Sequence, residues 1–292
     1  MSSSPETATN FCYRHPDRQS YILCQRCGNT VCPECQVQAA VGVHCVDCAR
    51  AASSGPEYKR RPAFVRAARA TTRGSSAPVV TYGIIAATVF VFILQLVPAL
   101  GVTEALQFAG VYVQNTGYFP VEPWRMLTYA FVHNPFSISS PLSILHIAFN
   151  MYSLYIFGRV LEPMIGRWRF LVLYLLSAIG GAVAIDLLTP GTSAVIGASG
   201  AIFGLMAATF VIVRKLGGNM SQLVVLVILN LAIGFLVPGI SWQAHVGGLV
   251  VGALVGMIFI ETRQRRQQWL QVGLTAALFV LLIAVTVVRA FV

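Results

Sequence analysis

Residues 216–260 read LGGNMSQLVVLVILNLAIGFLVPGISWQAHVGGLVVGALVGMIFI, 45 consecutive positions without Asp, Glu, Lys or Arg. One helix crosses the hydrocarbon core of a bilayer with about 20 residues. The stretch is therefore too long for one crossing and of the right length for two. Val237, Pro238 and Gly239 supply the turn between them, since Pro and Gly interrupt helices. We predict two membrane-spanning helices here.

Five further apolar runs approach or reach the length of a crossing: 78–98, 142–161, 168–188, 198–213 and 268–288. The whole chain is 56% hydrophobic and 10% charged, whereas soluble domains contain about 25% charged residues. This composition excludes an ordinary water-soluble protein. The predicted fold class is an all-α polytopic membrane protein with seven transmembrane helices.

Basic residues lie mainly on one side of the predicted bundle. The formal charge is +10, and of the 20 Lys and Arg residues only Arg125 and Arg289 fall on the side opposite the N-terminus. Cytosolic loops of membrane proteins carry an excess of Lys and Arg. We therefore expect a cytosolic N-terminus, with the lipid bilayer as a partner. Because 18 of the 20 basic residues are Arg and Ala is abundant, we expect a multi-pass protein of the plasma (inner) membrane. Because topology accounts for the charge, we expect no nucleic-acid partner.

The seven cysteines all lie within residues 12–48. With one histidine they form four pairs that share a spacing of two intervening residues: Cys12 and His15, Cys24 and Cys27, Cys32 and Cys35, Cys45 and Cys48. Eight ligands complete two tetrahedral zinc sites, whereas an odd number of cysteines does not suit a set of disulfides. We expect two structural zinc ions as cofactors of this segment.

The four pairs can be combined in two ways. Joining the first to the third leaves 16 residues between them, and joining the second to the fourth leaves 17. Both values fall within the spacing of about 15 to 20 residues that is typical of paired zinc ligands. We prefer this interleaved cross-brace, and sequential pairing stays as the alternative. His44 could replace its neighbour Cys45 as a ligand, but we interpret it as a surface histidine.

Composition divides the chain into four parts: a disordered N-terminus over 1–11, a cytosolic zinc-binding finger over 12–48, a basic linker over 49–77 and a transmembrane domain over 78–291. The finger resembles B-box and other cross-brace zinc fingers, which usually bind proteins. That resemblance implies a cytosolic protein partner. Regulation of the membrane domain by the finger is a further hypothesis.

Four polar side chains lie inside the predicted spans. His146 and Asn150 belong to the second run, Ser199 opens the fourth, and His245 lies near the start of the sixth. These three helices run in the same direction, so the four side chains lie at similar depth near the outer face. A serine beside a neutral imidazole forms a nucleophile and base pair, and two further donors can stabilise an oxyanion. The pattern indicates acyl transfer.

Glycines recur after His245 with a period of four residues, at Gly248, Gly252 and Gly256. Small residues at this period allow two membrane helices to approach closely. Ser199 is also surrounded by small residues, and we expect the sixth helix to pack against the fourth. This contact would bring His245 to Ser199.

At these motifs the sequence resembles the rhomboid family of intramembrane serine proteases. The resemblance covers 78–291, and its seventh helix fits the six-plus-one subclass. The matching motifs, in the family's order along the chain, are Trp124-Arg125, His146-x3-Asn150, Gly197-Ala198-Ser199-Gly200 and Ala244-His245 followed by spaced glycines.

The resemblance implies a Ser/His dyad that needs neither an acidic third member nor a cofactor. Ser199 would be the nucleophile and His245 the general base and later the general acid. The backbone amide of Ser199 would form the oxyanion hole with His146 and Asn150. The implied reaction is hydrolysis of peptide bonds in or near transmembrane segments of other membrane proteins, close to the external face. Phe203 would place its ring against the catalytic histidine.

Four other polar positions receive structural interpretations. Glu162 matches a structural position of the family, and its neighbours Arg159 and Arg167 suggest a juxtamembrane ion pair. Arg125 is expected to have a structural role in a loop at the outer interface. We expect His133 to be solvated in that loop, and we interpret Asp186 as a residue of a helix end.

Two alternative functions compete with hydrolysis. A catalytically silent relative could bind membrane clients for quality control, although the presence of both Ser199 and His245 disfavours this. A transporter would require charged pairs that extend into the inner half of the bundle, and the sequence has almost none there. Each residue of the site taken alone could also serve packing or interhelical hydrogen bonding.

Overall fold

The computed structural model describes residues 10–39, 42–53, 77–115, 117–134, 141–237 and 239–291. Contacts divide the chain into two compact units, Met1–Arg61 and Pro62–Val292. The predicted disorder over 1–11 and the predicted basic linker over 49–77 lie largely outside the described residues.

The N-terminal unit is built from two small antiparallel hairpins and one helix. Strand β1, Phe11–Cys12, pairs with β2, His15–Gln19, and β3, Gln36–Gln38, pairs with β4, Val43–Cys45. Helix α1, Val46–Ser53, follows directly. The core consists of Val31 and cysteine side chains, which is too little apolar surface to hold so short a domain together without metals or disulfides.

A tyrosine joins the first hairpin to the helix of this unit. The Tyr13 hydroxyl, just after β1, donates a 2.6 Å hydrogen bond to the Asp47 carboxylate in α1. Partial burial, together with this bond to an anion, raises the pKa of the Tyr13 hydroxyl. The tyrosine therefore stays protonated and keeps its role as a donor.

Helices make up the second unit. In chain order they are α2 Val79–Gln95, α3 Val102–Leu106, α4 Arg125–Thr128, α5 Pro141–Ile165, α6 Arg167–Leu188, α7 Ser199–Lys215, α8 Ser221–Leu236, α9 Trp242–Glu261 and α10 Gln268–Arg289. The seven predicted runs correspond to α2 and α5 to α10. The two spans predicted within 216–260 are α8 and α9, and the chain turns between them at Gly239, where φ is +87°.

Within the part of the chain that the structure describes, four stretches are long and apolar enough to cross a membrane: Ile144–Ile165, Arg167–Leu188, Trp242–Glu261 and Arg265–Arg289. Helices α2 and α8 are shorter but also apolar. The outer faces of the bundle are apolar as well, since side chains such as Ile228 and Val280 are more than half exposed. A large exposed apolar surface is stable in lipid rather than in water. The fold is therefore the predicted all-α polytopic membrane protein.

Helix α7 lies at the centre of the bundle, with 12 of its 17 residues buried. Its closest neighbour is α9. A methyl group on Gly248 would overlap the carbonyl oxygen of Gly200, and one on Gly252 would overlap the backbone of Gly204. The two helices therefore touch backbone to backbone, and the predicted packing of the glycine stripe against the fourth run is confirmed.

Glu162 does not form the predicted ion pair with Arg159 or Arg167. It is buried, and its carboxylate accepts hydrogen bonds from the N–H groups of Val80 and Thr81 at 3.0 and 2.8 Å and from the Thr81 hydroxyl at 2.7 Å. The first N–H groups of a helix have no partner within it, and an unpaired one is costly in an apolar environment. Glu162 therefore caps α2 from the end of α5, while Arg159 contacts Tyr155.

We predict that Gly252→Ala destabilises the bundle, because its methyl group has no space against Gly204. Overpacking of this kind costs about 1–3 kcal/mol. The matched control is Gly83→Ala in α2, where nothing lies within 4 Å of the added methyl group. Both changes raise helix propensity equally, so thermal unfolding in detergent should show a lower Tm for Gly252→Ala only. Equal Tm values for the two variants would contradict the packing account.

Candidate functional site

Ser199 and His245 lie in the first turns of adjacent helices. Ser199 begins α7 and is half-buried, and His245 is buried in the first turn of α9. The His245 Nε2 atom is 2.9 Å from the Ser199 Oγ atom. Ser241 precedes α9, and its hydroxyl accepts a hydrogen bond from the N–H of Ala244 at 3.4 Å, which fixes the start of that helix. A neutral imidazole at this distance accepts the hydroxyl proton of the serine.

The ring of Phe203 holds the His245 imidazole from one side. The two ring centroids are 4.3 Å apart and the planes differ by 12°, which is the contact that the resemblance implied. Among the described residues, His245 Nδ1 has no hydrogen-bond partner. Ring stacking and the bond to Ser199, rather than a carboxylate, thus orient the imidazole. Asp186 near the end of α6 is buried and accepts a hydrogen bond from Gln114 instead.

A tight turn precedes Ser199. Gly197 has a φ of +121°, a conformation that side-chain-bearing residues rarely adopt. Its N–H donates to the carbonyl of Tyr129 at 2.9 Å. A Cβ atom at Gly197 would lie 3.6 Å from His146 Nε2 and 3.9 Å from Ser199 Oγ. Glycine therefore permits the turn through its φ angle, and the His146 ring lies beside it.

The structure brings His146 to this turn, but it shows a different contact for Asn150. The Asn150 Nδ2 atom donates a 2.9 Å hydrogen bond to the carbonyl of His146 one turn earlier in α5. Asn150 is also buried. One of its two amide hydrogens is thus used within its own helix.

His133 is fully buried, so the prediction that it is solvated was wrong. Its Nε2 atom lies 3.5 Å from the N–H of Ala198, and its ring centroid is 5.4 Å from that of His146. Gln95 of α2 fixes its backbone: Oε1 accepts from the His133 N–H at 3.1 Å, and Nε2 donates to the His133 carbonyl at 2.6 Å. His133 therefore supports the turn that carries Ser199. In the sequence, the one sign of this contact is the polar residue Gln95 near the end of the apolar run 78–98.

Arg125 has the predicted structural role. Only 7% of its surface is exposed, and it forms an ion pair with Glu122. Its guanidinium also donates to the carbonyls of Glu104 and Gln107 and lies 4.0 Å from the ring centroid of Tyr112. One side chain thus joins three parts of the loop between α2 and α5.

Comparison with known proteins agrees with this architecture. The Rhomboid domain family model matches residues 120–262. The putative rhomboid protease YdcA of Bacillus subtilis is 31% identical over 157 residues, which cover 52% of this chain and 75% of the relative. The chain belongs to the rhomboid family. The rhomboid match extends from the loop before α4 to the end of α9 and includes Ser199, His245, His146 and Asn150.

Other rhomboid relatives are longer than the matched region. Rhomboid protease GluP of Bacillus subtilis is 35% identical over 184 residues, 60% of this chain and 34% of the relative. RHOMBOID-like protein 6, mitochondrial, of Arabidopsis thaliana is 35% identical over 151 residues, 49% of this chain and 46% of the relative. The chain thus spans about a third to a half of the length of these two proteins.

The N-terminal unit of this rhomboid contains two groups of side chains that could each hold a metal ion. In each group the four ligand atoms lie within 4.8 Å of one another, and the groups are Cys12, His15, Cys32 and Cys35, and Cys24, Cys27, Cys45 and Cys48. This is the interleaved arrangement. His15 Nδ1 lies 3.4 Å from the sulfurs of both Cys32 and Cys35. Tetrahedral zinc with bonds of about 2.3 Å places sulfurs about 3.8 Å apart, close to the 3.7 Å between Cys27 and Cys45.

We predict that His133→Leu lowers stability, because the change leaves the buried N–H of Ala198 without an acceptor. Loss of such a partner costs about 1–3 kcal/mol. The control is His133→Gln, whose side-chain oxygen can replace the imidazole nitrogen and should restore part of the loss. Thermal unfolding of both variants in detergent measures the difference. An unchanged Tm for His133→Leu would show that the contact does not support the turn.

Proposed function

We propose that this rhomboid is an intramembrane serine protease that hydrolyses peptide bonds in or near transmembrane segments of other membrane proteins. The observation that carries the proposal is the 2.9 Å separation of Ser199 Oγ and His245 Nε2. Both atoms lie at the same end of two helices in backbone contact. Relatives named rhomboid proteases support the same activity.

The reaction begins with the Ser199 hydroxyl. Its oxygen attacks the carbonyl carbon of the scissile bond while His245 Nε2 takes the hydroxyl proton. The tetrahedral intermediate collapses, the C–N bond breaks, and His245 gives the proton to the leaving amine. A water molecule then attacks the acyl group on Ser199. His245 accepts a proton from this water and returns it to the serine oxygen, which restores the enzyme.

The oxyanion that forms in each step needs hydrogen-bond donors. Ser199 begins α7, so its N–H has no carbonyl partner within the helix and is available. The positive end of the helix dipole also stabilises negative charge there. His146 lies beside the turn, and Asn150 is one helical turn further along α5. In this proposal the three groups form the oxyanion hole.

The client-binding and transport functions remain alternatives with specific consequences. A silent relative would keep the fold without a reactive serine, yet here the serine and the histidine are already in hydrogen-bond contact. A transporter needs charged pairs within the bundle. In the described part of the membrane unit, the ion pairs are Arg125–Glu122 in a loop and Lys215–Glu261 at helix ends. The geometry therefore favours hydrolysis.

The proposed topology places the N-terminus in the cytosol and the site near the external face of the plasma membrane. Ser199 and His245 lie in the first turns of α7 and α9. At the opposite ends, Arg214 and Lys215 belong to the last turn of α7, and Arg263 follows α9. Positive charge marks the cytosolic side. Substrates would enter from the bilayer and unwind near Ser199, because a helical peptide bond is shielded from attack.

Cleavage of an artificial single-span substrate in liposomes tests the proposal. We expect the wild-type chain to release a product, and Ser199→Ala and His245→Ala to lose at least about 10³-fold in rate. Ser221→Ala is the matched control, because Ser221 is exposed at the start of α8 and should leave the rate unchanged. Equal cleavage by wild type and Ser199→Ala would contradict the proposal. A folded wild type that does not cleave would favour the client-binding alternative.

We further propose that the N-terminal unit binds two structural zinc ions, one with three thiolates and one imidazole and one with four thiolates. Four protein ligands fill each site, which leaves no position for a substrate. A cytosolic protein partner of the finger stays a prediction. The exposed side chains of Tyr21, Ile22 and Leu23 form a surface where it could bind.

Zinc content distinguishes the two pairings of the ligands. With interleaved sites, the double variant Cys12→Ser/Cys32→Ser loses one site and should retain one zinc ion per chain. Cys12→Ser/Cys24→Ser damages both sites and should retain none. Elemental analysis of the purified full chain measures this, with the single Cys12→Ser variant as the reference for one lost ion. The opposite result for the two double variants would establish the sequential pairing.

A further inference from the structure

A cavity lies at the end of the bundle opposite Ser199. Its volume is about 260 Å³, and it opens between the end of α5, the start of α6 and the ends of α7 and α9. The walls are mainly apolar and include Ile165, Ile212 and Phe259, while Arg169 and Arg263 are its charged lining residues. The cavity is far larger than the roughly 30 Å³ that one water molecule occupies. Its lining combines apolar walls with two basic side chains.

The positive charge of this cavity is not neutralised by its own walls. Arg169 is held in place by neutral partners, since it donates to the Gln271 side chain and to the carbonyl of Ile165. Among the described residues, no acidic side chain lines the cavity. The carboxylate of the nearby Glu261 already forms an ion pair with Lys215, in which Oε1 lies 2.7 Å from Nζ. The two arginines are available to an anion.

The position of the cavity limits the kind of anion. It lies where α5, α7 and α9 end, next to charged residues that mark the level of the lipid headgroups. Guanidinium groups bind phosphate with paired hydrogen bonds, and the apolar walls suit the adjoining hydrocarbon of a lipid. Basic cavities between membrane helices are typical binding sites for anionic headgroups. We propose that this cavity binds the phosphate of an anionic phospholipid.

Such a lipid would add a connection between α6 and the segment that joins α9 to α10. Arg169 belongs to the start of α6 and already contacts Gln271 of α10, whereas Arg263 follows α9. A phosphate between the two guanidinium groups joins α6 to the segment between α9 and α10. The lipid therefore stabilises the helix bundle, and this effect does not depend on proteolytic activity.

Thermal unfolding of the purified full chain in neutral detergent tests the site. We expect added phosphatidylglycerol to raise the Tm of the wild type, whereas phosphatidylcholine should not. Arg263→Gln should abolish the shift. The matched control is Arg265→Gln, because Arg265 is an exposed arginine two residues away that does not line the cavity; this variant should keep the shift.

Two further measurements separate the sources of phosphate. Native mass spectrometry should count one phosphatidylglycerol molecule retained by the wild type and none by Arg263→Gln. Inorganic phosphate at the same concentration should not raise the Tm. A shift with inorganic phosphate as large as that with the lipid would overturn the lipid assignment. Equal lipid shifts for Arg263→Gln and Arg265→Gln, or no shift in the wild type, would overturn the site itself.

Discussion

Backbone contact between α7 and α9 is the constraint on which the rest of the structure depends. Lipid supplies no hydrophobic force between helices, so close packing must hold them together. Gly248 and Gly252 provide it by lying directly against the α7 backbone, and Gly247 does the same for α9 against α6. Since Ser199 and His245 each lie in the first turn of their helix, this register sets their separation. The geometry of the proposed Ser199–His245 dyad is thus a consequence of helix packing.

Polar side chains outside the proposed dyad satisfy backbone groups that the apolar interior would leave unpaired. Glu162 caps α2, Gln95 binds both backbone groups of His133, and His133 in turn accepts from the N–H of Ala198. Buried polar groups without partners are expensive, so these contacts fix the ends of helices and the turn before Ser199. Through the contacts of Gln95 and His133, the loop between α2 and α5 supports the turn before Ser199 from within the bundle.

The features that depend on local periodicity could be predicted from the sequence. The lengths of the apolar runs predicted the membrane-spanning helices. The four-residue period of Gly248 and Gly252 predicted the packing of α9 against α7. The spacing of the cysteine pairs favoured the interleaved groups of metal ligands. Contacts between residues far apart in the sequence could not be predicted. His133 was predicted to be solvated because it lies in a loop. Glu162 was predicted to form an ion pair because arginines are its neighbours in the sequence. Its contact with Thr81 joins residues 81 positions apart, which no local pattern indicates.

The most direct test of this account is the reactivity of Ser199 towards a fluorophosphonate, with the modified residue located by mass spectrometry. If the α9 contact makes Ser199 a nucleophile through His245, the adduct forms on Ser199 alone. Its rate of formation should then fall about 10²- to 10⁴-fold in His245→Ala, the usual contribution of a general base. Labelling of Ser199 at the same rate in His245→Ala, or a folded wild type that is not labelled at all, would contradict the account.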